Sequence, residues 1–199
     1  SLREAITQAN ANGTAITDFI LFNIADQSEA GRTINLQSEL PTLTSNITID
    51  GTSQPGTSLG ISNARITLYL DHFTSIPFTF LFIHNASAIS IYGICFKFFD
   101  NPAAGGGLNY AIGLRNVSQI TVGAPGKGNL FSAVRAGITN NYWNYFAPDS
   151  AKDITIQSNV FGLSSSNQMV SGGLIDLKGA ANITIGGPSA AEGNLHINA

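Results

Sequence analysis

The stretch NITIGG at residues 182–187 sets a pattern that recurs along the chain. Looser copies, each with two aliphatic residues around a small hydroxyl residue, occur at 46–51 (NITIDG), 85–93 (NASAISIYG), 116–123 (NVSQITVG) and 153–161 (DITIQSNVF). Short strands that recur in this way and are followed by Gly or Asn are typical of a solenoid, in which each coil buries its apolar side on its neighbours. The repeat therefore predicts an all-β fold, a parallel β-helix with three strands per coil, and right-handed connections are strongly preferred in such folds.

The first 13 residues follow a different pattern, that of a short amphipathic helix. Ser1 is a suitable N-cap with Glu4 three positions later, Gly13 ends the pattern, and the apolar residues form one stripe: Leu2, Ala5, Ile6 and Ala9. A solenoid leaves the apolar cross-section of its first coil open. We therefore expect the helix at 1–13 to cap the first coil.

The remaining residues, 19–199, are interpreted as coils, and four coils can be aligned beyond residue 60. The prediction is a single domain over residues 1–199. Because the repeat is still in progress at Ala199, we expect this sequence to be a piece of a longer protein.

Strand alternation predicts columns of like residues along the coils. Successive side chains of a strand point to opposite faces, so the aliphatic residues of the motif face inward and the hydroxyl residues face outward. The predicted outward column contains Ser90, Thr121, Thr155 and Thr184. It could be a hydroxyl surface for crystalline polysaccharide or ice, but Thr is also favoured at solvent-facing strand positions, and we prefer that interpretation. At the preceding bend, Asn85, Asn116 and Asn140 are expected to form a hydrogen-bonded ladder.

Three insertions interrupt the predicted coils, at 100–109, 140–152 and 163–173. The second insertion is rich in aromatic residues, among them Tyr142, Trp143 and Tyr145. Exposed aromatic rings on a loop can stack on sugar rings, which makes these three residues candidate ligand-binding residues. The alternative is that the rings fold back and cover the flank of the coil.

Composition excludes several classes of function. Charged residues are only 11% of the chain against a typical value of about 25%, the net charge is -3, and no stretch collects Lys or Arg, so a nucleic acid is not an expected partner. The single cysteine, Cys95, excludes an intrachain disulfide, and the three histidines have no zinc-ligand spacing. The most apolar run, 78–83, is far shorter than the roughly 20 residues that a membrane-spanning helix needs.

A resemblance to a known family is carried by the N-terminal third. SLREAI at 1–6, a strand, LP at 40–41 and TIDGTSQPG at 48–56 follow one another. This order resembles the start of bacterial secreted proteins that carry the CSLREA motif and fold as right-handed parallel β-helices of the pectin-lyase-like type. The cysteine of that motif would precede Ser1. The resemblance implies a fold and an extracellular or cell-surface location, but such repeats serve in adhesins, surface structures and polysaccharide-active enzymes alike.

In pectin-lyase-like enzymes, as the resemblance implies, catalytic groups lie on the outward face of the first strand. That face here carries a sparse basic row, His84, Arg115 and Lys178, with Asp176 beside it. A lyase needs a base and a cation, a Ca²⁺ site needs clustered carboxylates, and a glycoside hydrolase needs two carboxylates about 5 to 9.5 Å apart. One aspartate does not meet these needs. We therefore predict no catalytic residue, metal or cofactor, and keep the four residues as candidate ligand-binding residues.

The preferred hypothesis is a non-catalytic structural or adhesive segment of a secreted or cell-surface bacterial protein. Its expected partners are polysaccharides or other cell-surface components. The alternative is a carbohydrate-binding module, or a polysaccharide lyase or hydrolase of the pectin-lyase-like type. Asp50 and His196 are interpreted as structural, Asp50 in a turn and His196 as an isolated side chain.

Overall fold

The computed structural model of the chain describes residues 1–44, 46–70, 78–98, 109–141, 150–170 and 173–197. These residues form a helix, α1 (Leu2–Asn12), two short 3-10 turns (Gly51–Ser53 and Ala190–Glu192) and the following strands: β1 (Asp18–Leu21), β2 (Thr33–Asn35), β3 (Ile47–Asp50), β4 (Ile66–Leu70), β5 (Phe78–Tyr92), β6 (Ile94–Phe98), β7 (Asn109–Val122), β8 (Leu130–Ser132), β9 (Ala136–Thr139), β10 (Ala151–Ile156), β11 (Val160–Phe161), β12 (Leu174–Asp176), β13 (Ala181–Ile185) and β14 (Leu195–His196).

The strands form two sheets whose paired neighbours are all parallel. Sheet A has the order β1-β3-β5-β7-β10-β13, with β9 pairing with both β7 and β12, and sheet B has the order β2-β4-β6-β8-β11-β14. From β1 to β8, consecutive strands along the chain alternate between the sheets. After β8, two consecutive strands of sheet A, first β9 and β10 and then β12 and β13, precede each strand of sheet B, so the chain winds through about five parallel coils. The predicted all-β parallel helix is confirmed. In two coils, the strands predicted as first and second are joined into one long strand, β5 in one coil and β7 in the next.

The predicted N-terminal helix is also confirmed. The Ser1 hydroxyl accepts a hydrogen bond from the Glu4 backbone amide at 3.3 Å, which satisfies one of the free amides of the first turn. The buried residues of α1 are Leu2, Ile6 and Ala9, and they belong to the same apolar core as the coils. Arg3 fixes the helix to the coil through the Glu39 carbonyl oxygen at 2.8 Å.

The bend before each second strand explains the Asn or Asp that begins the motif copies at 46, 153 and 182. One residue per coil has a positive φ at this place: Asn46 (42°), Ala88 (56°), Gln119 (56°), Asp153 (55°) and Asn182 (55°). Asn and Asp are the non-glycine residues that tolerate this conformation best. In the two other copies, Ala88 and Gln119 occupy this bend, and the initial Asn85 and Asn116 lie at the preceding bend, where their φ is 51°.

A stack of aromatic rings runs through the core on sheet B. Phe96, Phe131 and Phe161 are at most 1% exposed, and their ring centroids are 5.2 and 4.5 Å apart. His196 continues the stack at 4.2 Å from Phe161, with the rings nearly parallel at 7°. His196 is exposed, as expected of a surface side chain, but it is not isolated, because the parallel register pairs it with Phe161 at the open end of the stack.

An interior ladder of asparagines accompanies this stack. Asn159 donates from Nδ2 to the Val122 carbonyl oxygen at 2.8 Å and accepts from Asn129 Nδ2 at 2.9 Å. Asn129 and Asn159 are fully buried, and Asn194 extends the ladder to the next coil with a bond of 3.0 Å. The side-chain amides thus satisfy backbone groups that the turns leave unpaired.

The ladder predicted at the outer bend is present in part. Asn116 Nδ2 donates to Asn85 Oδ1 at 3.2 Å, which confirms these two members. Asn140 instead bonds to the backbone of Lys178, donating to its carbonyl oxygen and accepting from its amide, both at 2.8 Å. Thr139 pairs with Gly113, so the next residue, Asn140, stands in the row of the buried Leu114 and not in the row of Asn116.

The outward face of sheet B is covered by loops. Leu59, Cys95, Leu130, Val160 and Leu163 form a second buried apolar cluster there. The loop after Leu163 reaches back to the first coils, where Ser165 donates to Glu29 at 2.6 Å and Asn167 accepts from the Ile61 amide at 2.9 Å. This covered face leaves sheet A as the more open of the two sheets.

Candidate functional site

The predicted row of first-strand residues lies on sheet A. His84 of β5 and Arg115 of β7 are paired in register, as expected. Asp176 pairs with Thr139, which pairs with Gly113, so Asp176 lies in the neighbouring row together with Phe82. The His84 ring stacks against Phe82 at 5.8 Å.

Lys178 lies just beyond the end of β12 and is exposed. Its backbone, rather than its ammonium group, makes the contacts with Asn140 described above. The Asp176 carboxylate accepts from Asn141 Nδ2 at 3.1 Å. The structure thus brings His84 and Arg115 together and gives Asp176 a structural partner.

The aromatic candidates Tyr142, Trp143 and Tyr145 lie outside the described residues. The residues on either side of them are described. Asn141 is anchored by Asp176, and Ser150 donates from Oγ to Asn116 Oδ1 at 3.1 Å. The insertion therefore leaves and rejoins the coils on sheet A.

A shallow cleft of about 440 Å³ opens beside this junction. It is lined by residues of three successive coils: Asn116, Val117 and Ser118 of β7, Ser150, Ala151 and Lys152 at the start of β10, and Gly179 and Ala181 at the bend before β13. Val117 and Ala151 are each 4% exposed and pair in register, so they form an apolar floor. Lys152 carries the charge of the lining.

Sequence reasoning missed this cleft. Its nearest predicted candidates are Arg115 and Lys178, which are the chain neighbours of the lining residues Asn116 and Gly179. Ser150 and Lys152 stand at the end of the aromatic insertion, and this position in the sequence could have marked them as candidate ligand-binding residues. The aligned motif copies at 116–121, 150–155 and 179–184 place these residues in common rows, but they do not show that the rows line a cleft.

The column of outward hydroxyl residues is confirmed by the strand register. Ser90 pairs with Thr121, Thr121 with Thr155 and Thr155 with Thr184. Thr48 of β3 extends the column, and Phe19 of β1, which is 65% exposed, stands at its N-terminal end. The column itself is a regular, uncharged strip along sheet A.

The carboxylates of the described residues bind the protein's own donors. Nine of the twelve acidic residues are described, and each is held by a hydrogen bond or ion pair: Glu4, Asp18, Asp26, Glu29, Glu39, Asp50, Asp153, Asp176 and Glu192. Among the described residues, no group of three or more His, Cys, Asp or Glu side chains could hold a metal ion. The arrangement therefore uses acidic groups for turns and coil stacking.

Asp50 is the most elaborate of these sites. Its Oδ2 accepts from Lys127 Nζ at 2.6 Å and its Oδ1 accepts from the Thr52 amide at 3.0 Å, while Lys127 lies 5.1 Å from the centroid of the Tyr92 ring. Burial by itself raises the pKa of Asp50, but the bonds from Lys127 and Thr52 outweigh it and lower the pKa below its ordinary value of 3.8. The cluster is a clamp between loops of different coils.

This clamp predicts a pH effect. Because the pKa of Asp50 is lower in the folded state, its stabilisation is complete above pH 3.8 and is lost as the pH falls below that value. The change Lys127→Met leaves burial as the main influence on the pKa of Asp50, so acid unfolding should begin at a higher pH. At neutral pH the free energy of unfolding should fall by about 1 kcal/mol, a modest value because Lys127 is 45% exposed. Thermal unfolding measured from about pH 7 to pH 2 checks this. Identical pH profiles of the two proteins would contradict it.

Two groups that could be chemically reactive, Cys95 and His196, have shifted pKa values. Cys95 is 1% exposed, and burial raises its pKa to about 12, so the thiol stays protonated and is a poor nucleophile. Partial desolvation against Phe161 lowers the pKa of His196, although the residue itself is exposed. Cys95 is thus closed to an external substrate.

Within the described part of the chain, no helix has the length and hydropathy that crossing a bilayer requires. No protein-family model matches the sequence, and comparison with curated proteins and with solved structures likewise finds no match.

Proposed function

We propose that this chain is a non-catalytic structural and adhesive segment of a secreted or cell-surface bacterial protein. The β-solenoid fold is compatible with such a role, since stacked coils present long and regular surfaces. The resemblance of residues 1–56 to proteins with the CSLREA motif supports a secreted or cell-surface location. We also propose that the chain belongs to that group of proteins.

One observation carries the non-catalytic part of the proposal. All nine described carboxylates bind donors within the protein, as set out above. Polysaccharide lyases and hydrolases need acidic groups that remain available to substrate, water or metal. Asp176, the acidic residue nearest the predicted basic row, is instead bonded to Asn141.

Carbohydrate binding is the second candidate, and the cleft on sheet A favours it. The cleft combines a small apolar floor with amide, hydroxyl and ammonium groups. A sugar ring has the complementary character, with apolar C–H faces and polar edges. Binding of this kind and an adhesive role are compatible with each other.

An array of glycans and polysaccharides tests the proposal. We expect the protein to bind a restricted class of glycan, and we expect Asp176→Asn to bind equally well, because in an adhesive segment this residue only supports Asn141. The triple change Tyr142→Ala, Trp143→Ala and Tyr145→Ala should weaken binding if these rings stack on sugar. Failure of the wild-type protein to bind any glycan would exclude an adhesive role towards carbohydrate.

A further inference from the structure

Asn12 and Gly13 form a dipeptide in which the asparagine can react with the backbone of the next residue. Asn12 is the last residue of α1, and Gly13 follows it with a φ of 80°. No other asparagine of the sequence precedes a glycine, and glycine has no side chain to hinder the approach of its backbone nitrogen. Asn12 is exposed, and a Cβ added to Gly13 would meet no atom within 4 Å, so the surroundings of this peptide bond are open. Because helix ends fray, Asn12 can leave the helical conformation.

The reaction open to this dipeptide is deamidation through a cyclic succinimide. The backbone nitrogen of Gly13 loses its proton and attacks Cγ of Asn12, so that a new C–N bond closes the ring. The bond from Cγ to Nδ2 breaks, and the side-chain nitrogen leaves as ammonia together with the released proton. Water then opens the ring at either carbonyl carbon and gives an aspartate or an isoaspartate at position 12. Water is the co-reactant, and no electrons are exchanged.

The amide of Asn12 makes a contact that a carboxylate cannot make. Asn12 Nδ2 donates to Asp18 Oδ1 at 2.7 Å, which ties the end of α1 to the start of β1. The second oxygen of this carboxylate, Asp18 Oδ2, is buried, and no group of the described residues donates to it. A carboxylate at position 12 would replace the donor by an acceptor of the same charge as Asp18. The attraction between the two side chains would therefore become a repulsion.

The position of Asn12 at the end of a helix adds to this effect. The C-terminal end of a helix carries a partial negative charge, so a carboxylate there is unfavourable. The last turn, ANAN at 9–12, contains no basic residue that could compensate. The earlier part of α1 is held separately, by Arg3 on the Glu39 carbonyl oxygen and by Asn10 Nδ2 on the Thr42 carbonyl oxygen at 2.7 Å. A negative charge at position 12 therefore loosens the last turn and not the whole helix.

We propose that Asn12–Gly13 is a site of spontaneous deamidation, and that the carboxylate formed there releases the end of the capping helix from β1. The release affects the covered end of the core. Ala9, in the last turn of α1, is 4% exposed and belongs to the core, so a loosened turn uncovers it. This inference goes beyond the proposed adhesive function and does not depend on it, since no glycan takes part.

Peptide mapping by mass spectrometry tests the site. The purified protein is kept at neutral pH and physiological temperature, and samples taken at intervals are digested and analysed for aspartate and isoaspartate. We expect the amide of Asn12 to be lost before that of any other asparagine. The matched control is Asn12→Gln, which keeps a side-chain amide but can form only a larger ring, so modification at this position should disappear.

Hydrogen exchange followed by NMR tests the consequence. Asn12→Asp carries the carboxylate from the start, and the amides of residues 10–12 should exchange about tenfold faster in this variant than in the wild-type protein. The amides of residues 5–7, in the part of α1 that is held separately, should be unchanged. Asn12→Gln keeps a donor for Asp18 and should exchange at close to the wild-type rate. Wild-type protein that has deamidated should match Asn12→Asp.

Either of two results overturns the inference. The first is an Asn12 amide that survives for a time in which a free peptide of residues 8–17 is fully converted, or that is lost no faster than the amides of the other asparagines. The second is an Asn12→Asp protein whose last helical turn exchanges at the wild-type rate. Both measurements are made without any glycan, so neither result bears on the proposed adhesive function.

Discussion

Replacing Asn159 by Ala is expected to destabilise the protein by about 3–5 kcal/mol, a large share of the stability of a typical domain. The Asn159 side chain bonds to four groups, the Val122 carbonyl oxygen, the Asn129 amide, Asn129 Nδ2 and Asn194 Oδ1, at 2.8 to 3.0 Å. Alanine leaves several of these groups buried without a partner, and water has little access because Asn159 is fully buried. Each such group costs about 1–3 kcal/mol.

Urea unfolding followed by circular dichroism measures this effect as a shift in the midpoint. The matched control is Asn85→Gly, in the ladder on the outside of the coils. Asn85 is exposed, its described ladder bond to Asn116 is 3.2 Å long, and glycine adopts its φ of 51° without strain, so the expected change is below about 0.5 kcal/mol. Equal midpoint shifts for the two variants would show that the interior ladder has no special importance.

Replacing Phe131 by Ala should cost about 3–5 kcal/mol as well, for a different reason. Phe131 is fully buried between Phe96 and Phe161, with ring centroids at 5.2 and 4.5 Å. Removing this ring opens a cavity in the middle of the stack, and neighbours held by parallel strands on both sides can collapse into it only in part.

The controls for this prediction vary burial and volume separately. Phe131→Leu keeps most of the volume and should cost clearly less than Phe131→Ala. Phe19→Ala removes an equal ring from a position that is 65% exposed and should change stability by no more than about 0.5 kcal/mol. A Phe131→Ala protein as stable as the Phe19→Ala protein would contradict the role given to the aromatic stack.

The fold was predictable because its cause is local and repeated. In NITI, the aliphatic residues alternate with a hydroxyl residue and a residue suited to positive φ comes first, so strand, face and bend are all encoded within a few letters. The column from Ser90 to Thr184 and the helix at Leu2–Asn12 follow from such periodicities, and both were predicted correctly.

The interior ladder and the aromatic stack also have a sequence signal, although it was overlooked. GNLF at 128–131, SNVF at 158–161 and GNLH at 193–196 are aligned copies that place Asn and then an aromatic ring at equivalent positions. Considered alone, His196 has no partner in the sequence. Considered as the third copy of Phe131 and Phe161, it belongs to the stack.

The cleft was predictable only in its rows. Its lining residues Asn116, Ser150 and Gly179 each stand four positions before the first isoleucine of a motif copy, so the strand register places them side by side. Whether such rows line a hollow depends on how the side chains pack, which a repeat pattern does not specify. Sequence analysis identified its cationic neighbours, Arg115 and Lys178, but not the floor or Lys152.

The most direct test of the central claim, adhesion without catalysis, is to measure binding and polymer length in the same sample. The protein is incubated with each polysaccharide that it retains on the array, and the length distribution of the polysaccharide is then determined by size-exclusion chromatography with light scattering. We predict that the bound polysaccharide keeps its original length throughout. Progressive shortening of the polymer, absent from a sample without protein, would contradict the claim and identify the chain as an enzyme.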